Sequence, residues 1–241
     1  LPTAEKGKRL GVIVSDAMRY EVGADLSARI AGGVLSSGRT LVSASYEGMA
    51  CMLPSYTQLG MAALLPEGTM EVDLATANVL KDGDATDGLV NRQKVVEAAI
   101  PGAMLIQASK VLEEGLPNVE GAPLVMVYHN AIDKRGDSRD TASAERVDVD
   151  LNDNGVIDEG EVFAACEDAI TQVMKIAGEL LRAGCGKVLV TADHGFLYQD
   201  GQVEEYNFAA ADGLTDLAHA SGHDFSHGRR YVMGLTLPKS D

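Results

Sequence analysis

Three short segments, far apart in the chain, each carry an Asp where a run of apolar, β-branched residues stops. They are residues 12–20 (VIVSDAMRY), 128–137 (YHNAIDKRGD) and 188–196 (VLVTADHGF). Carboxylate oxygens and neutral imidazole nitrogens are ligands for divalent metal ions. In open parallel α/β sheets, ligand groups gather at the carboxyl ends of the strands. Three such strands would bring Asp16, Asp133 and the Asp193–His194 pair to one edge, which predicts a metal-dependent hydrolase.

The Asp193–His194–Gly195 sequence offers a carboxylate and an imidazole together at a strand end. Metal ions need deprotonated carboxylates and neutral imidazoles, and Gly195 permits a backbone turn that would aim both side chains at one ion. A solvated strand end is the alternative. Asp16 follows its strand and precedes a predicted helix, where an Asp often caps the helix instead of binding a metal.

Asp133 and Asp137 flank Lys–Arg–Gly in the sequence DKRGD, soon after a predicted buried strand. Gly136 would also suit a polar surface turn, which is the alternative. The preceding strand, which ends in Tyr–His–Asn, favours a functional site at this point.

Three later histidines follow one another at a spacing of four residues, which would place them on one face of a helix. They are His219, His223 and His227. The Ser and Gly residues among them indicate a loop instead. One of the three is expected to complete a site: His227, which lies just before a predicted strand, is preferred, and His223 is second.

A hydroxyl nucleophile is available in PSYTQLGMAALLP (54–66), a Pro-bounded segment that predicts a helix of about three turns. Thr57 would lie at its N-terminus, where the helix dipole favours an anion. Bound to a metal ion, the hydroxyl would lose its proton more easily and become a nucleophile. Helix capping is the alternative role of Thr57, and Ser55 is the second candidate nucleophile.

A second constellation is independent of the first: residues 150–161 (DLNDNGVIDEGE) resemble the calcium loop of an EF-hand. The predicted calcium ligands, five side chains and one backbone carbonyl, are Asp150, Asn152, Asn154, Val156, Asp158 and Glu161. Gly155 would provide the sharp turn that such loops need. An acidic linker is the alternative. The sequence contains no second calcium loop, so this insertion is expected to stabilise the structure rather than to sense calcium.

The elements that would position these groups alternate between strands and helices. Strands are predicted at 9–15, 40–48, 123–130, 187–192 and 229–237, and helices at 18–32, 54–66 and 161–183. Residues 67–94 are expected to be irregular and 196–206 to form a hairpin, whereas 95–100 and 103–116 fit either a strand or a helix. The alternation predicts an α/β fold with a mostly parallel central sheet sandwiched by helices.

Length and composition fit a single domain over residues 1–241, with 46% hydrophobic and 23% charged residues. No apolar run approaches the roughly 20 residues that span a bilayer. The N-terminus has neither an initiator Met nor an apolar secretory core, so a piece of a longer, cytoplasmic protein is expected.

Three Cys without C-x-x-C spacing predict free, mostly buried thiols. A net charge of −16 argues against a basic surface for nucleic acid or anionic membranes.

Taken in order, Asp16, Thr57, Asp133, the Asp193–His194 pair and a late histidine resemble the alkaline phosphatase superfamily. The resemblance is greatest to PglZ domains, known from phage-defence (BREX) systems and from some response regulators. The supporting strings, which cover most of the chain, are VSDAMRYE, PSYTQLGMAALLP, YHNAIDKRGD, VTADHGFLY and GRRYVMG. This resemblance implies an alkaline phosphatase-like fold with a two-zinc site for phosphoryl transfer.

The resemblance assigns two sets of metal ligands by motif position. They are Asp16, Thr57, Asp193 and His194 for one ion, and Asp133, Asp137 and His227 for the other. The wider superfamily commonly has Asp-x-x-Gly-His in the third motif, where this chain has Asp-x-x-Gly-Asp. A carboxylate in place of an imidazole shifts the preference of that site from zinc toward manganese or magnesium.

The resemblance also implies that Thr57 attacks phosphorus and that water hydrolyses the resulting phosphothreonine, with a nucleotide or oligonucleotide phosphodiester as substrate. A non-catalytic metal-binding module of a defence or signalling complex is the alternative, and other proteins of such a complex are candidate partners. A calcium-binding interaction protein with purely structural Asp clusters is a third hypothesis. Arg19, Lys134 and Arg135 lie near the motifs and could hold a phosphate, although surface salt bridges are their preferred role.

Overall fold

A computed structural model describes residues 9–32, 44–132, 159–195, 225–228 and 231–234 of the chain. In chain order the elements are β1 (Arg9–Ser15), α1 (Tyr20–Gly32), α2 (Thr57–Ala63), β2 (Met70–Val72), β3 (Val79–Lys81), β4 (Asp84–Ala85), α3 (Gly88–Ala99), β5 (Met104–Gln107), α4 (Ala108–Glu114), β6 (Leu124–His129), α5 (Glu159–Arg182), β7 (Cys185–Thr191), β8 (Phe225–Gly228) and β9 (Tyr231–Gly234).

The centre of the fold is a four-stranded sheet in the order β5–β6–β1–β7, in which every neighbouring pair is parallel. Parallel neighbours need long crossover connections, which the helices between the strands provide. All six residues of β6 and the last six of β1 are buried. Such continuous apolar runs are expected where both faces of a sheet are covered.

Successive side chains of the central strands point to opposite faces of the sheet and enter two separate cores. On one face, Ile13 packs in a cluster with residues of α1, α4 and α5. On the other face, Val12 and Val14 pack with residues of α2 and α3. The prediction of an α/β fold with a parallel sheet flanked by helices is therefore confirmed.

The strands and helices with strong patterns lie close to their predicted positions. β1 matches its prediction of 9–15, and α5, predicted at 161–183, extends over Glu159–Arg182. The two ambiguous segments are resolved: 95–100 is mostly the end of α3, and 103–116 contains β5 followed directly by α4.

Two predictions of local structure were wrong within the described residues. Residues 44–48 of the predicted strand 40–48 do not form a strand. Instead, the ring of Tyr46 packs against that of Tyr20, at 4.9 Å between centroids, and its hydroxyl donates to the Tyr20 carbonyl. The supposedly irregular segment 67–94 contains the antiparallel sheet β2–β3–β4 and the start of α3. These strands are two or three residues long, too short for a periodic pattern.

Several predicted features lie outside the described residues, including the hairpin at 196–206 and positions 150–158 of the calcium loop. The three cysteines are described and are free thiols, with Cys185 buried and the other two half-buried. Within the described ranges, none of the helices combines the length and apolarity that crossing a membrane requires.

Candidate metal centre

The three strands that precede the predicted ligands are neighbours in the central sheet. Ser15, the last residue of β1, is in register with His129, the last residue of β6. Val14 is in register with Thr191, the last residue of β7. The chain therefore leaves all three strands at one edge, the carboxyl edge, where parallel α/β sheets bind their ligands.

A tight turn directly after β1 places the first carboxylate. The Asp16 N–H donates to the His129 carbonyl at 2.7 Å, and the Met18 N–H donates to the Ser15 carbonyl at 3.3 Å. Ala17 has a φ of 59°, a left-handed conformation that costs a non-glycine residue about 1 kcal/mol. This turn precedes α1, so Asp16 is not the cap of that helix.

The strained turn also connects β1 to the second carboxylate. The Ala17 N–H donates to Oδ1 of Asp193 at 3.2 Å, across 176 positions of the chain. This hydrogen bond orients the Asp193 side chain and leaves its Oδ2 facing the imidazole of His194, 3.4 Å from Nε2. The backbone strain at Ala17 therefore has a local use, because it aims a donor at a candidate ligand residue.

Asp16 and Asp193, which are buried, and the half-buried His194 form a group that is called here the metal-centre cluster. One ligand atom from each residue lies within 4.8 Å of the other two. Asp16 is 7% exposed and Asp193 is 3% exposed, and Oδ1 of Asp16 lies 3.8 Å from Nε2 of His194. Two carboxylates and one imidazole thus converge on a space of the size that one cation occupies.

The hydrogen bond on the far side of the His194 ring determines its tautomer. Nδ1 lies 3.0 Å from the Gly195 carbonyl oxygen, which can only accept, so Nδ1 carries the proton. In the neutral imidazole, which is the form that binds a metal ion, Nε2 is then left with a lone pair directed toward the two carboxylates. A metal-binding histidine usually donates its other N–H to a carbonyl or carboxylate in this way.

The residues present fit a divalent cation. The Asp193 side chain is fully buried, and its Oδ2 has no hydrogen-bond partner among the described residues. A buried carboxylate without such a partner is costly, and a second carboxylate nearby adds repulsion. A bound cation would remove both costs. Two carboxylate oxygens and an imidazole nitrogen suit zinc or manganese.

Thr57 reaches this cluster from the face of the sheet that packs against α2 and α3. It is the first residue of α2; Tyr56 occupies the N-cap position and makes no capping side-chain hydrogen bond. Oγ1 of Thr57 lies 3.0 Å from Nε2 of His194, to which the hydroxyl donates. The hydroxyl is therefore beside the cluster and is not used to cap the helix. Ser55, the second candidate, is exposed and precedes α2.

A second polar group lies beside the metal-centre cluster and is called here the Ser15–His129–Gln172 network. Nε2 of His129 donates to Oε1 of Gln172 at 3.1 Å, so Nδ1 accepts from the Ser15 hydroxyl at 2.9 Å. Burial lowers the pKa of His129, and the hydrogen bond to Gln172 opposes this to a smaller extent. The network connects β1, β6 and α5 just before Asp16.

Tyr128 lies at the same end of β6, in the core beneath α2 and α3. Its hydroxyl is buried and has no hydrogen-bond partner among the described residues. Burial raises the pKa of Tyr128 to about 12, a shift that the guanidinium of Arg92, 5.2 Å from the ring centroid, opposes and the charge of Asp193 increases. This hydroxyl therefore stays protonated at neutral pH.

The remaining predicted site residues are not joined to the cluster by the described structure. Asp133, Asp137, Asp150, Asn152, Asn154, Val156 and Asp158 lie outside the described residues, as do Lys134, Arg135, His219 and His223. Glu161 lies in α5 and His227 in β8, where the structure describes the backbone. Arg19 forms a salt bridge with Glu21 at 3.3 Å, which fits its expected surface role.

Sequence reasoning missed the backbone donor at Ala17 and the Ser15–His129–Gln172 network. The Ala17 donor has no sequence signal, because a positive φ at Ala follows from the fold and not from the residue type. His129 did carry a sequence signal, because a histidine that ends a buried apolar strand must find a hydrogen-bond partner.

Comparison with known proteins identifies the family to which the chain belongs. Residues 1–240 match the family described as the BREX system PglZ alkaline phosphatase-like domain. The chain is similar to the alkaline phosphatase-like protein BrxZ of Escherichia coli O9:H4 (strain HS), with 31% identity over 97% of this chain and 24% of that protein. It is also similar to the alkaline phosphatase-like protein PglZ of Bacillus cereus (strain H3081.97), with 30% identity over 90% of this chain and 23% of that protein.

The chain therefore spans about a quarter of the length of the curated relatives it matches. No solved structure matches it.

Proposed function

This chain belongs to the PglZ family of alkaline phosphatase-like domains, and on that basis we propose that it is a metal-dependent phosphohydrolase with Thr57 as its nucleophile. The observation that carries the proposal is the position of the Thr57 hydroxyl, 3.0 Å from Nε2 of His194. The same nitrogen lies 3.4 Å from Asp193 and 3.8 Å from Asp16. A nucleophile and three candidate metal ligands thus converge at one sheet edge.

The chain's own residues would hold the first ion and position the hydroxyl. Asp16, Asp193 and His194 would supply two anionic oxygens and a neutral nitrogen, and Thr57 would supply its hydroxyl oxygen. A divalent ion held there would lower the pKa of the hydroxyl and offset negative charge on the phosphoryl group. The Gly195 carbonyl would keep the His194 imidazole oriented throughout, because it accepts from the protonated Nδ1.

The proposed reaction has two displacement steps. In the first, Oγ1 of Thr57 bonds to phosphorus, its proton passes to solvent, and the bond from phosphorus to the leaving oxygen breaks. In the second, a water oxygen bonds to phosphorus, the bond from phosphorus to Oγ1 breaks, one water proton passes to solvent, and Oγ1 takes up a proton, which restores the hydroxyl. Asp16, Asp193 and His194 act as ligands in both steps and need not accept a proton.

A second ion is proposed on the residues that the family resemblance assigns to it, namely Asp133, Asp137 and His227. Zinc is proposed for the first site because it accepts a mixed nitrogen and oxygen donor set in tetrahedral geometry. Manganese or magnesium suits the second site better, since two carboxylates make that donor set harder.

The proposed substrate is a phosphodiester of a nucleotide or oligonucleotide, and the proposed setting is phage defence together with other BREX proteins. The family description, which refers to the BREX system, supports the setting. The surface offers no general attraction to nucleic acid, since the net charge is −16. Bound cations would have to offset this repulsion locally.

Hydrolysis of bis-p-nitrophenyl phosphate with added zinc or manganese tests the proposal. Thr57→Ala removes the hydroxyl and is expected to lower kcat by at least about 10³-fold, as the loss of a covalent nucleophile commonly does. Thr57→Ser keeps a hydroxyl at the same position and should retain a measurable fraction of the activity. Neither substitution removes a charged ligand, so metal binding should persist in both.

Equal hydrolysis by the wild type and Thr57→Ala would contradict the catalytic role of Thr57. If both proteins still bound metal, the result would favour the second candidate function, a non-catalytic metal-binding module of a larger complex. The share of the curated relatives that the chain spans, about a quarter, supports this second candidate, because other parts of such proteins could hold the activity.

Calcium is proposed to bind at residues 150–161 and to brace the chain near the start of α5, where Glu161 is the last expected ligand. Adding calcium to chelated protein should then raise the melting temperature, and Glu161→Gln should remove most of that rise. An unchanged melting temperature on adding calcium would contradict the proposal.

A further inference from the structure

Helix α2 approaches the metal-centre cluster most closely at Gly60, where there is no room for a side chain. A Cβ built at this position would lie 2.6 Å from the carbonyl oxygen of Asp193 and 3.0 Å from its carbonyl carbon. Contacts below 3.0 Å are not tolerated by real Cβ atoms. The missing side chain therefore allows the helix to touch the backbone of a candidate ligand residue.

Neither partner in this contact can easily give way. The obstructing atoms belong to the Asp193 backbone and not to the tip of a flexible side chain. Asp193 follows β7, and its carboxylate accepts from Ala17 at 3.2 Å. The helix is held by Met61, which is 3% exposed in the core beneath it, and by Leu59, which is 5% exposed against β3.

Gly60 and Thr57 share one face of α2, since residues three apart in a helix are neighbours. On this face, the Thr57 hydroxyl contacts His194, and the Gly60 backbone, which has no side chain, contacts Asp193. A methyl group at position 60 would have to move α2 away from β7 or displace Asp193. Either movement lengthens the 3.0 Å contact between Thr57 and His194.

We infer that Gly60 is a positioning residue, whose missing side chain sets the distance between the Thr57 hydroxyl and the His194 imidazole. The inference rests on the proposed function in one respect, the assignment of Thr57 as nucleophile. A glycine inside a helix costs stability relative to alanine, so its presence at this position calls for a packing or functional reason. The close approach to Asp193 provides that reason.

The test is Gly60→Ala in the full chain, with Gly178→Ala as the matched control. Gly178 is also inside a helix, but a Cβ there would meet nothing nearer than the Arg182 side chain at 3.9 Å. Gly60→Ala should lower kcat for bis-p-nitrophenyl phosphate by about 10²-fold, which is the size of effect that a 1 Å misplacement can have. Gly178→Ala should leave kcat unchanged.

Two further readouts separate positioning from a general loss of structure. The KM should stay within about threefold of wild type in Gly60→Ala, because no substrate-binding group is removed. In a Thr57→Ala background, adding Gly60→Ala should lower the residual rate no further, since the effect acts through that hydroxyl. A wild-type kcat in Gly60→Ala, or full additivity with Thr57→Ala, would overturn the inference.

An NMR measurement decides the inference even if the catalytic proposal fails. In the metal-free protein, the ¹⁵N shift of His194 Nε2 reports the hydrogen bond from Thr57, so Thr57→Ala should move it, and Gly60→Ala should move it in the same direction. If wild type and Thr57→Ala hydrolyse the ester equally, the proposed function fails, yet this shift still tests Gly60. A wild-type shift in Gly60→Ala would overturn the inference whatever the activity.

Circular dichroism establishes that each variant is folded before it is assayed. If Gly60→Ala melts within the assay range, the double variant Gly60→Ala/Gly178→Ala replaces it, because alanine inside a helix at an unobstructed position adds stability. The same predictions for kcat and for the His194 shift then apply to the double variant, compared with Gly178→Ala alone.

Discussion

Two buried polar groups lie side by side at the carboxyl edge of the central sheet, and they differ in how their polar atoms are satisfied. In the Ser15–His129–Gln172 network, the hydroxyl, both ring nitrogens and the amide oxygen take part in a chain of two hydrogen bonds. In the metal-centre cluster, two carboxylates and an imidazole nitrogen converge, and Oδ2 of Asp193 has no hydrogen-bond partner among the described residues.

The difference separates a structural role from a chemical one. A buried network whose donors and acceptors match is stable without any ligand and specifies one arrangement of its strands. A buried set of acceptors without enough donors is stable only with a proton or a cation. The two groups are joined through the backbone, because the Asp16 N–H donates to the His129 carbonyl, so the network holds the metal-centre cluster in place.

The largest expected effect comes from Asp193→Asn, which removes a charge from the metal-centre cluster and keeps its shape. The affinity for zinc, measured by calorimetry, should fall by about 10²-fold or more, because an anionic ligand is lost. In the presence of a chelator, the stability should hold or rise, since the repulsion from Asp16 is relieved.

Asp84→Asn is the matched control, because Asp84 is exposed in β4. It should leave both the metal affinity and the stability in chelator unchanged. Wild-type zinc affinity in Asp193→Asn would contradict the assignment of the cluster as a metal centre.

Adding zinc should stabilise the folded chain mainly through the metal-centre cluster, which is the site proposed for zinc. At a zinc concentration of 100 times Kd, the free energy of unfolding should rise by about 2.7 kcal/mol. The same gain is expected for His129→Leu and should be largely absent from Asp193→Asn. Urea unfolding with and without zinc measures it, and a gain that survives in Asp193→Asn would place the bound metal elsewhere.

His129→Leu tests the other side of the comparison, because it leaves the buried Ser15 hydroxyl and the half-buried Gln172 amide without their partner. The free energy of unfolding in chelator should fall by about 1–3 kcal/mol. The zinc affinity should change only a few-fold, as expected for a residue that supports the ligands from behind. A loss of affinity as large as that of Asp193→Asn would mean that the two groups act as one site.

The smallest expected effect is a dependence of stability on acidity. Burial lowers the pKa of His129 below its usual value of 6.5, so the folded chain prefers the neutral imidazole more than the unfolded chain does. The contribution of the neutral His129 imidazole to stability is therefore complete at pH values above 6.5, and it is lost as the pH falls through the lowered pKa. Urea midpoints measured between neutral and mildly acidic pH should fall less steeply in His129→Leu than in wild type.

Much of the fold was predictable because the central strands have strong local signals. The apolar runs of β1, β6 and β7 each stop near a polar motif, and α5 has a clear helical period. Parallel strands that are buried on both faces need such runs, so the sheet could be expected from the residues alone. The strands β2–β4 escaped prediction because a three-residue strand has no period to detect.

The candidate ligands Asp16, Asp193 and His194 were predictable for a similar reason, since strand ends gather at one edge of a parallel sheet. The position of Thr57 beside the cluster was harder to predict from the residues, because a threonine at the start of a helix is more commonly a cap. Its use depends on α2 packing against the chain that follows β7, a contact between residues 137 positions apart.

The order of residues by itself determined which chemical groups are present and which strand ends would carry them, since both are local properties of the chain. Only the tertiary structure decided their distances: the turn at Ala17, the proton on Nδ1 of His194 and the bare backbone of Gly60 all follow from contacts between distant segments. The physical reason is that a binding site is defined by separations of a few ångströms. No pattern along a sequence specifies how closely a helix approaches a strand.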